Sequence, residues 1–286
     1  MPASTLAALP RLGVGISAEP GSAASGIDPN AMVELHPDLV HFVEYGADTA
    51  RGLDESIRRW AGAGRPTTYH FLDLNLEEAA DLDAAWIAQL RRAADELGAA
   101  WLCGDSGLWH FGRRDRGHEL LLPPVLTRDS AAAVADNLLR LEAETGRVVL
   151  PENPPGAFYI GDLHLLDYYA EIARRTDSGL LLDCAHLAIY QRLHGHTPTT
   201  GLDAFPLDRV VELHVAGATL RSLDGFEVVD DSHLPEPLPD TWQIVAAVVR
   251  RAPALRAIVY ECEKNQLPDV LENFARLNQT FPKELA

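Results

Sequence analysis

The residues best suited to chemistry in this chain are acids and histidines that end, or soon follow, short apolar runs. They are His70, Glu152, Asp183 with His186, His214, Asp231 with His233, and Glu261. Such side chains are costly at the ends of buried strands unless they are paired, hydrogen-bonded or bound to metal. Because they come from distant parts of the chain, they predict a polynuclear metal site at the mouth of a barrel, and therefore a metalloenzyme.

The spacing within two of these groups favours shared metal ligation. Asp183 and His186 stand about one helical turn apart, at a predicted junction between a strand and a helix. Asp231 and His233 are predicted to lie on the same side of an extended segment, because side chains alternate along a strand. Glutamates such as Glu152 can bridge two metal ions. Oxygen and imidazole donors suit zinc, iron and manganese.

Three further residues complete the predicted site. Asp105 follows the fourth apolar run and is a weaker predicted ligand. Asn153 follows Glu152, and its amide is expected to orient a carboxylate or to contact substrate, although Asn153-Pro154 is also typical of a turn. Glu44 ends the second predicted strand, where it is expected to act as a base behind the ligands. We therefore predict Glu44 and Asn153 as catalytic residues.

These side chains require strands that end together, and the apolar runs supply them. The predicted strands are residues 12–16, 39–45, 67–71, 100–104, 147–151, 179–184, 210–215 and 257–261, and the predicted helices are 77–97, 130–144, 162–175, 241–251 and 267–277. This alternation favours an α/β fold of the (β/α)₈ TIM-barrel type. A doubly wound open sheet is the alternative, but it would concentrate polar residues at one switch point.

Length and composition favour one domain, residues 1–286, with 47% hydrophobic residues. No apolar run approaches the roughly 20 residues of a membrane helix, and the first ten residues lack the basic start of a signal peptide. The three cysteines are far apart and odd in number, which argues against a disulfide framework and for a reducing cytosol. We therefore expect a cytoplasmic protein that does not associate with membranes.

The chain is strongly acidic, with 42 Asp and Glu against 24 Lys and Arg and a formal charge of −18. Such a surface repels phosphate backbones, so we expect no nucleic-acid partner, and a cationic peptide is easier to accept. Arg113, Arg114 and Arg116 cluster in the loop-like segment 106–127. We interpret this segment as a lid or an anion contact, with a solvated loop as the default.

In their order along the chain, the motifs resemble those of a known family. They are Pro151-Glu152-Asn153-Pro154-Pro155, Leu182-Asp183-Cys184-Ala185-His186, Glu212-Leu213-His214, Asp231-Ser232-His233 and Tyr260-Glu261. Gly13-Val14-Gly15-Ile16 and Phe42-Val43-Glu44 resemble the first two strands of the same family. Nearly the whole chain is similar to the multinuclear non-haem iron-dependent oxidative enzymes. Members act in the methanobactin and thiaglutamate pathways, and the group was long filed as a family of unknown function.

The resemblance implies a xylose-isomerase-like TIM barrel that holds two or three iron ions, mixed-valent Fe(II)/Fe(III), with dioxygen as co-substrate. It implies an oxidoreductase of natural-product (RiPP) biosynthesis that oxidises a residue, often cysteine, in a ribosomally synthesised precursor peptide. A small partner protein usually delivers that peptide. The ligands that the resemblance implies are His70, Asp105, Glu152, Asp183 or its neighbour His186, His214, Asp231, His233 and Glu261.

The fourth strand departs from the family pattern, which commonly has an acid followed by histidine at this point. Here Asp105 is followed by Ser106, and the nearest imidazole is that of His110. Either His110 takes the place of that histidine from the loop, or one iron has an altered coordination shell. The departure bears on the number of metal ions.

Other functions fit part of the same ligand order. A metal-dependent phosphodiesterase resembling endonuclease IV would use zinc to activate water and clamp a phosphate, but the acidic charge argues against it. A sugar isomerase of the xylose-isomerase kind usually needs a lysine near its metals, and Lys264 is one of few lysines. A barrel that only binds a partner would have little need for so many buried acids.

Overall fold

Eight parallel strands close into a barrel in the computed structural model, which describes residues 6–114 and 120–281. Arg116 lies outside the described residues. The barrel strands, in their order around the barrel, are β1 (Gly13–Ala18), β2 (Phe42–Ala47), β3 (Thr67–Phe71), β4 (Leu102–Asp105), β6 (Val149–Glu152), β8 (Leu180–Asp183), β9 (Val210–Ala216) and β12 (Ala257–Glu261). The predicted (β/α)₈ fold is confirmed, and the open doubly wound alternative is wrong.

Helices cover the outside of the barrel. They are α1 (Ser22–Ser25), α2 (Pro29–Leu35), α3 (Glu55–Gly62), α4 (Ala84–Leu97), α5 (Arg128–Thr145), α6 (Leu165–Thr176), α7 (Cys184–Leu193), α8 (Pro239–Val249) and α9 (Leu267–Thr280), with 3₁₀ turns at Ala79–Asp81 and Leu207–Arg209. The helix predicted from residue 77 begins later, at Ala84, because Asp83 caps it by accepting a hydrogen bond from the Trp86 amide.

Two short sheets lie outside the barrel. One pairs β5 (Val125–Leu126) with β7 (Ile160–Gly161), and the other is the antiparallel hairpin of β10 (Ala218–Leu223) and β11 (Phe226–Asp231). The hairpin enters the chain between β9 and α8, and it was not predicted. Its register pairs Ala218 with Asp231, so the chain returns to the barrel rim at the end of β9. None of the helices in the described residues combines the length and apolar character needed to cross a bilayer.

The inward face of the barrel changes from apolar to polar along the strands. Buried apolar residues fill the part of the interior away from the carboxyl ends of the strands, among them Phe42, Cys103, Leu150, Leu181 and Val259. The residue two positions later on each of these strands is an acid, namely Glu44, Asp105, Glu152, Asp183 and Glu261. Since side chains two apart share a face of a strand, each acid stands directly above an apolar residue. This alternation places the acids at the carboxyl ends of the strands, where TIM barrels carry their sites.

Candidate metal centre

Acids and imidazoles from most of the barrel strands meet around a cavity of about 270 Å³ at the carboxyl end of the barrel. The side chains that line it include Glu44, His70, Asp105, Glu152, His186, Asp231, His233, Glu261 and Glu263, with Ser17 and Glu19 from the end of β1. Leu72, Trp109, Leu121 and Pro155 supply an apolar part of the wall. The predicted residues from distant parts of the chain are therefore neighbours.

Glu152, at the end of β6, occupies the centre of the cluster and is 1% exposed. Its Oε2 lies 2.7 Å from Nε2 of His70, and its Oε1 lies 3.2 Å from Nδ1 of His214. Nδ1 of His186 is 3.6 Å from the same Oε1. The two carboxylate oxygens thus face different imidazoles, which is the arrangement that a bridging carboxylate needs.

His214 connects the metal-facing layer with the residues beneath it. Its Nδ1 lies 3.2 Å from Oε1 of Glu261, while its Nε2 lies 2.8 Å from Oε1 of Glu44. The other oxygen of Glu44 accepts hydrogen bonds from Thr68 and Cys103. Glu44 was expected at the end of a strand, but it lies inside β2, which extends to Ala47. It therefore stands behind His214, where it orients the imidazole.

The junction of β8 and α7 holds Asp183 and His186 as the spacing predicted. Asp183 caps the helix by accepting a hydrogen bond of 2.5 Å from the His186 amide. Asn153 holds this junction, since its side chain donates to the Asp183 carbonyl and accepts from the Asp183 amide. The backbone carbonyl of Asn153 accepts a hydrogen bond from Nδ1 of His186. The other ring nitrogen, Nε2, then faces Asp231 at 3.1 Å. Both ends of the Asn153 amide are engaged, so this residue positions ligands.

Two more of the predicted ligands are Asp231, the last residue of the hairpin, and His233, two residues beyond it. Nε2 of His233 lies 3.2 Å from Oδ2 of Asp231, and its Nδ1 lies 3.0 Å from Oε2 of Glu263. The two side chains lie close together, but they do not share one side of an extended segment as predicted. His233 has a left-handed backbone with φ of 49°, so the chain turns there instead of continuing extended. Glu263 is also held by the Ser17 hydroxyl.

The arrangement of donor atoms fits divalent metal ions. Within the described residues, sets of three ligand atoms within 4.8 Å of one another include His70–Asp105–Glu152, Glu152–Asp183–His186 and Asp183–His214–Glu261. Several buried carboxylate oxygens of the cluster lack a hydrogen-bond partner among these residues, namely Asp105 Oδ1, Glu152 Oε1, Asp183 Oδ2, Asp231 Oδ1 and Glu261 Oε2. Unpartnered buried carboxylates are costly. Cations held between them would remove that cost.

Electrostatics in the metal-free cluster favour bound protons. Burial lowers the pKa of His70, but the hydrogen bond and charge of Glu152 outweigh it and raise the pKa to about 9. Burial raises the pKa of Asp105 to about 7, helped by the charge of Glu152. Burial likewise raises the pKa of Asp183 to about 8, against the opposing effect of His186. Against the effect of burial, the neighbouring imidazoles lower the pKa of Glu152 and of Asp231.

His110 does not reach the cluster as a donor. Its Nε2 lies 3.0 Å from Oδ2 of Asp81, and its Nδ1 lies 2.8 Å from the Gly112 carbonyl. Both ring nitrogens are engaged away from the metal-facing cavity, whose lining does not include His110. The structure therefore does not bring His110 to the cluster in place of a histidine at position 106.

Two buried acids of the site were not predicted. Glu263 stands two residues after Glu261, and Glu212 stands two residues before His214. Glu212 is fully buried and accepts a hydrogen bond of 2.6 Å from the Trp101 indole. The same period of two that relates the other acids to the apolar interior could have revealed both of them.

A family model described as the RiPP precursor modification enzyme MbnB/TglH/ChrH matches residues 13–280. The chain belongs to this family. The resemblance inferred from the ordered motifs is thereby confirmed, and the match spans the whole barrel. Members of this family are described as enzymes that modify the precursors of ribosomally made peptides, so the chain belongs to a family of enzymes.

Relatives of this family member include UPF0276 proteins. One from Anaeromyxobacter sp. (strain Fw109-5) is 30% identical over 190 residues, which are 65% of this chain and 64% of that protein. One from Caulobacter vibrioides (strain NA1000 / CB15N) is 27% identical over 247 residues, 85% of this chain and 84% of the relative.

Solved structures of lower identity share the fold. Endonuclease IV from Thermus thermophilus is 19% identical with a TM-score of 0.52, covering 95% of this chain and 97% of that one. A xylose isomerase domain containing protein from Salmonella typhimurium LT2 is 13% identical with a TM-score of 0.55, covering 94% of each chain. These similarities show a xylose-isomerase-like TIM barrel.

Proposed function

We propose that this member of the family is an iron- and dioxygen-dependent oxidative enzyme that modifies a residue, cysteine in our reading, of a ribosomally synthesised precursor peptide. The observation that carries the proposal is the set of unpartnered buried carboxylate oxygens interleaved with imidazoles around Glu152. Such a donor set suits several iron ions close together. The family membership supplies the peptide substrate.

We propose two or three mixed-valent iron ions in this site. Bound iron would supply the one-electron chemistry through which dioxygen accepts electrons from the peptide. The ligands are His70, Asp105, Glu152, Asp183, His186, His214, Asp231, His233 and Glu261. Glu152 and Glu261, whose Oε1 atoms each lie 3.2 Å from Nδ1 of His214, would be the central carboxylates that hold the iron. Glu44 and Asn153 hold the imidazoles of His214 and His186 in orientation.

The apolar part of the cavity wall has a separate role in this proposal. Leu72, Trp109 and Leu121 face the ligand cluster across the cavity. They would limit the water that surrounds a substrate side chain next to the metal ions. The cavity of about 270 Å³ accommodates a single side chain with its flanking backbone and not a folded protein.

The remaining assignments of the proposal concern the surroundings of the enzyme. We propose that it works in the cytoplasm with a small partner protein that delivers the precursor, as a single domain of residues 1–286. The formal charge of −18 supports a cationic or neutral peptide over nucleic acid as the partner.

Two other chemistries have less support. A phosphodiesterase of the endonuclease IV kind needs cationic contacts to a phosphate backbone. In the arginine cluster predicted from the sequence, Arg114 is paired with Asp81 and Asp83. A sugar isomerase usually needs a lysine at the metals, whereas Lys264 is exposed and does not line this cavity.

The test combines metal analysis with mass measurement. The protein is purified without dioxygen, its metals are quantified, and it is co-expressed with short cysteine-bearing peptides, beginning with any that is encoded next to its gene. We expect more than one iron per chain and a peptide mass change that requires dioxygen. The Glu152→Gln variant, which removes one carboxylate charge at nearly constant shape, should lose both iron and the mass change. Zinc at full occupancy with phosphodiesterase activity, or an unaltered peptide, would contradict the proposal.

A further inference from the structure

A second and larger cavity adjoins the metal-facing cavity on the same face of the barrel. This groove has a volume of about 800 Å³. Its walls come from the segments after β2 (48–50), after β3 (72–83) and after β4 (109–114), and from the first turns of α4. Leu72 and Trp109 line both cavities, so the groove and the ligand cluster share a wall.

Hydrogen bonds fix the walls of the groove. The side chain of Asn75 accepts from the backbone amides of Trp109 at 2.7 Å and His110 at 3.3 Å. Oδ2 of Asp81 accepts a hydrogen bond of 2.8 Å from the backbone amide of Asn75. The same oxygen lies 3.0 Å from Nε2 of His110. The segment after β4, interpreted from sequence as a lid, is therefore fastened to the segment after β3 up to Arg114. A groove with walls held in this way loses little entropy when it binds a ligand.

Arg114 adds to this framework and is not a free anion contact. Its guanidinium lies 3.0 Å from Oδ1 of Asp81 and 3.1 Å from Oδ2 of Asp83. It also lies over the Trp86 ring, 5.0 Å from the ring centroid. The charge of this arginine is therefore balanced by the groove's own acids.

The lining of the groove combines an apolar surface with an excess of negative charge. Leu72, Trp86 and Trp109 supply the apolar part, with Ala50, Ala80 and Ala85. The acids are Asp48, Asp73, Glu78, Asp81 and Asp83, against the guanidinium groups of Arg113 and Arg114. More acids than arginines leave the groove negative, so it disfavours anionic ligands and attracts basic ones.

We propose that this groove binds a basic segment of the precursor peptide next to the residue that is modified. This inference rests on the proposed function and names the path of its substrate. The segment lies across the apolar surface with its lysine or arginine side chains near Glu78. The adjoining residue then passes Leu72 and Trp109 into the metal-facing cavity.

Two adjacent alanines of α4 allow a matched test. Ala85 is exposed and lines the groove, whereas its neighbour Ala84 is also exposed and is not part of the lining. Ala85→Trp fills the groove without touching a predicted ligand, and Ala84→Trp adds the same bulk outside it. The probe is a fluorescently labelled synthetic peptide in which a cysteine stands next to two lysines, and the protein is iron-loaded and kept free of dioxygen. Binding is measured by fluorescence anisotropy.

We expect Ala85→Trp to weaken peptide binding at least ~10-fold, which corresponds to about 1.4 kcal/mol of binding free energy. Ala84→Trp should leave peptide binding unchanged. Replacing the peptide's basic residues with glutamine should weaken binding by a similar factor, and Glu78→Gln should weaken it several-fold. Higher salt should weaken binding of the wild-type pair. Equal binding by both tryptophan variants, or by the basic and neutral peptides, overturns the groove assignment.

The same materials separate this inference from the proposed function. A peptide that binds in the groove but is never oxidised contradicts the oxidative function and leaves the groove assignment in place. A peptide that the wild type and Ala85→Trp both oxidise with the same KM overturns the groove assignment and leaves the oxidative function in place. A wild-type protein that does not bind the peptide also overturns the groove assignment.

Discussion

At the scale of single residues, the two buried glutamates beneath the cluster should respond differently to loss of charge. Glu44 faces Nε2 of His214, so Glu44→Gln should lower metal affinity about 10–100-fold, as changes behind metal ligands usually do. Burial and the nearby charge of Glu44 raise the pKa of Glu212 well above its usual range. Glu212 accepts a hydrogen bond from the Trp101 indole, which the amide oxygen of glutamine can also accept, so Glu212→Gln should retain metal affinity. Competition with a chelator measures both variants.

The comparison of the two variants is decisive because both replace a fully buried acid by its amide. If Glu212→Gln lost as much metal as Glu44→Gln, general disturbance of the interior would explain the result better than a contact with His214. Far-ultraviolet circular dichroism on both variants checks that the barrel is intact.

Metal affinity should rise with pH. In the metal-free protein His70 has a pKa of about 9, Asp183 about 8 and Asp105 about 7, so all three hold protons near pH 6. A metal ion must displace these protons, and fewer remain to be displaced as the pH rises. We expect affinity to increase at least ~10-fold per pH unit between pH 6 and pH 8. Calorimetry in buffers of different ionisation enthalpy counts the released protons. A flat profile would mean that the metal binds elsewhere.

The residues of the site were largely predictable from sequence, but not their contacts. Glu152, Asp183 and Glu261 end their strands as expected, because apolar runs mark strand ends well. That Asn153 uses its whole amide to hold Asp183 was not predictable, since it depends on two strand ends meeting in space. The engagement of His110 by Asp81 is of the same kind.

At the scale of elements, β4 should be sensitive to any added side chain. A Cβ at Gly104 would overlap the ring of Phe71 on β3. Gly104→Ala should therefore lower the free energy of unfolding by about 1–3 kcal/mol, the usual cost of overpacking, and displace Asp105. Gly62, the last residue of α3, has no atom within 4 Å of an added Cβ. Gly62→Ala should be neutral or stabilising by up to ~1 kcal/mol.

Urea unfolding measures both glycine variants, and metal content reports on Asp105. A stable Gly104→Ala protein with normal metal content would show that β3 and β4 can separate without cost.

The eight barrel strands were predicted to within a few residues because buried parallel strands read as continuous apolar runs. The hairpin of β10 and β11 lacks such a run and carries exposed residues such as Arg221 and Leu220. Its signal in the sequence, which was overlooked, is the two-residue turn Asp224-Gly225, where φ is 49° and 86°.

At the scale of the whole molecule, metal removal should destabilise the barrel. The cluster brings several acids and imidazoles together in the interior, and bound metal stabilises the folded state by mass action. At a free metal concentration about 100-fold above Kd this amounts to about 2.7 kcal/mol, which lowers Tm on removal by on the order of 5 °C. Differential scanning fluorimetry with a chelator measures the shift. Ferrous salt should restore Tm in the wild type and fail to do so in Glu152→Gln.

An unchanged Tm after complete metal removal would show that protons alone satisfy the buried acids. The raised pKa values of Asp105 and Asp183 make that outcome meaningful, because they describe the protonated state that competes with metal.

The origin of the last two donors has a consequence for how such sites diversify. Asp231 is the last residue of a hairpin inserted between β9 and α8, and His233 follows it by two residues, and the barrel's own ladder of parallel strands closes without them. A related chain that exchanged or shortened this insertion would change two donors in one step and keep the scaffold. Divergence in metal number or reaction within the lineage should therefore accumulate in this excursion first, ahead of the strand ends that hold Glu152.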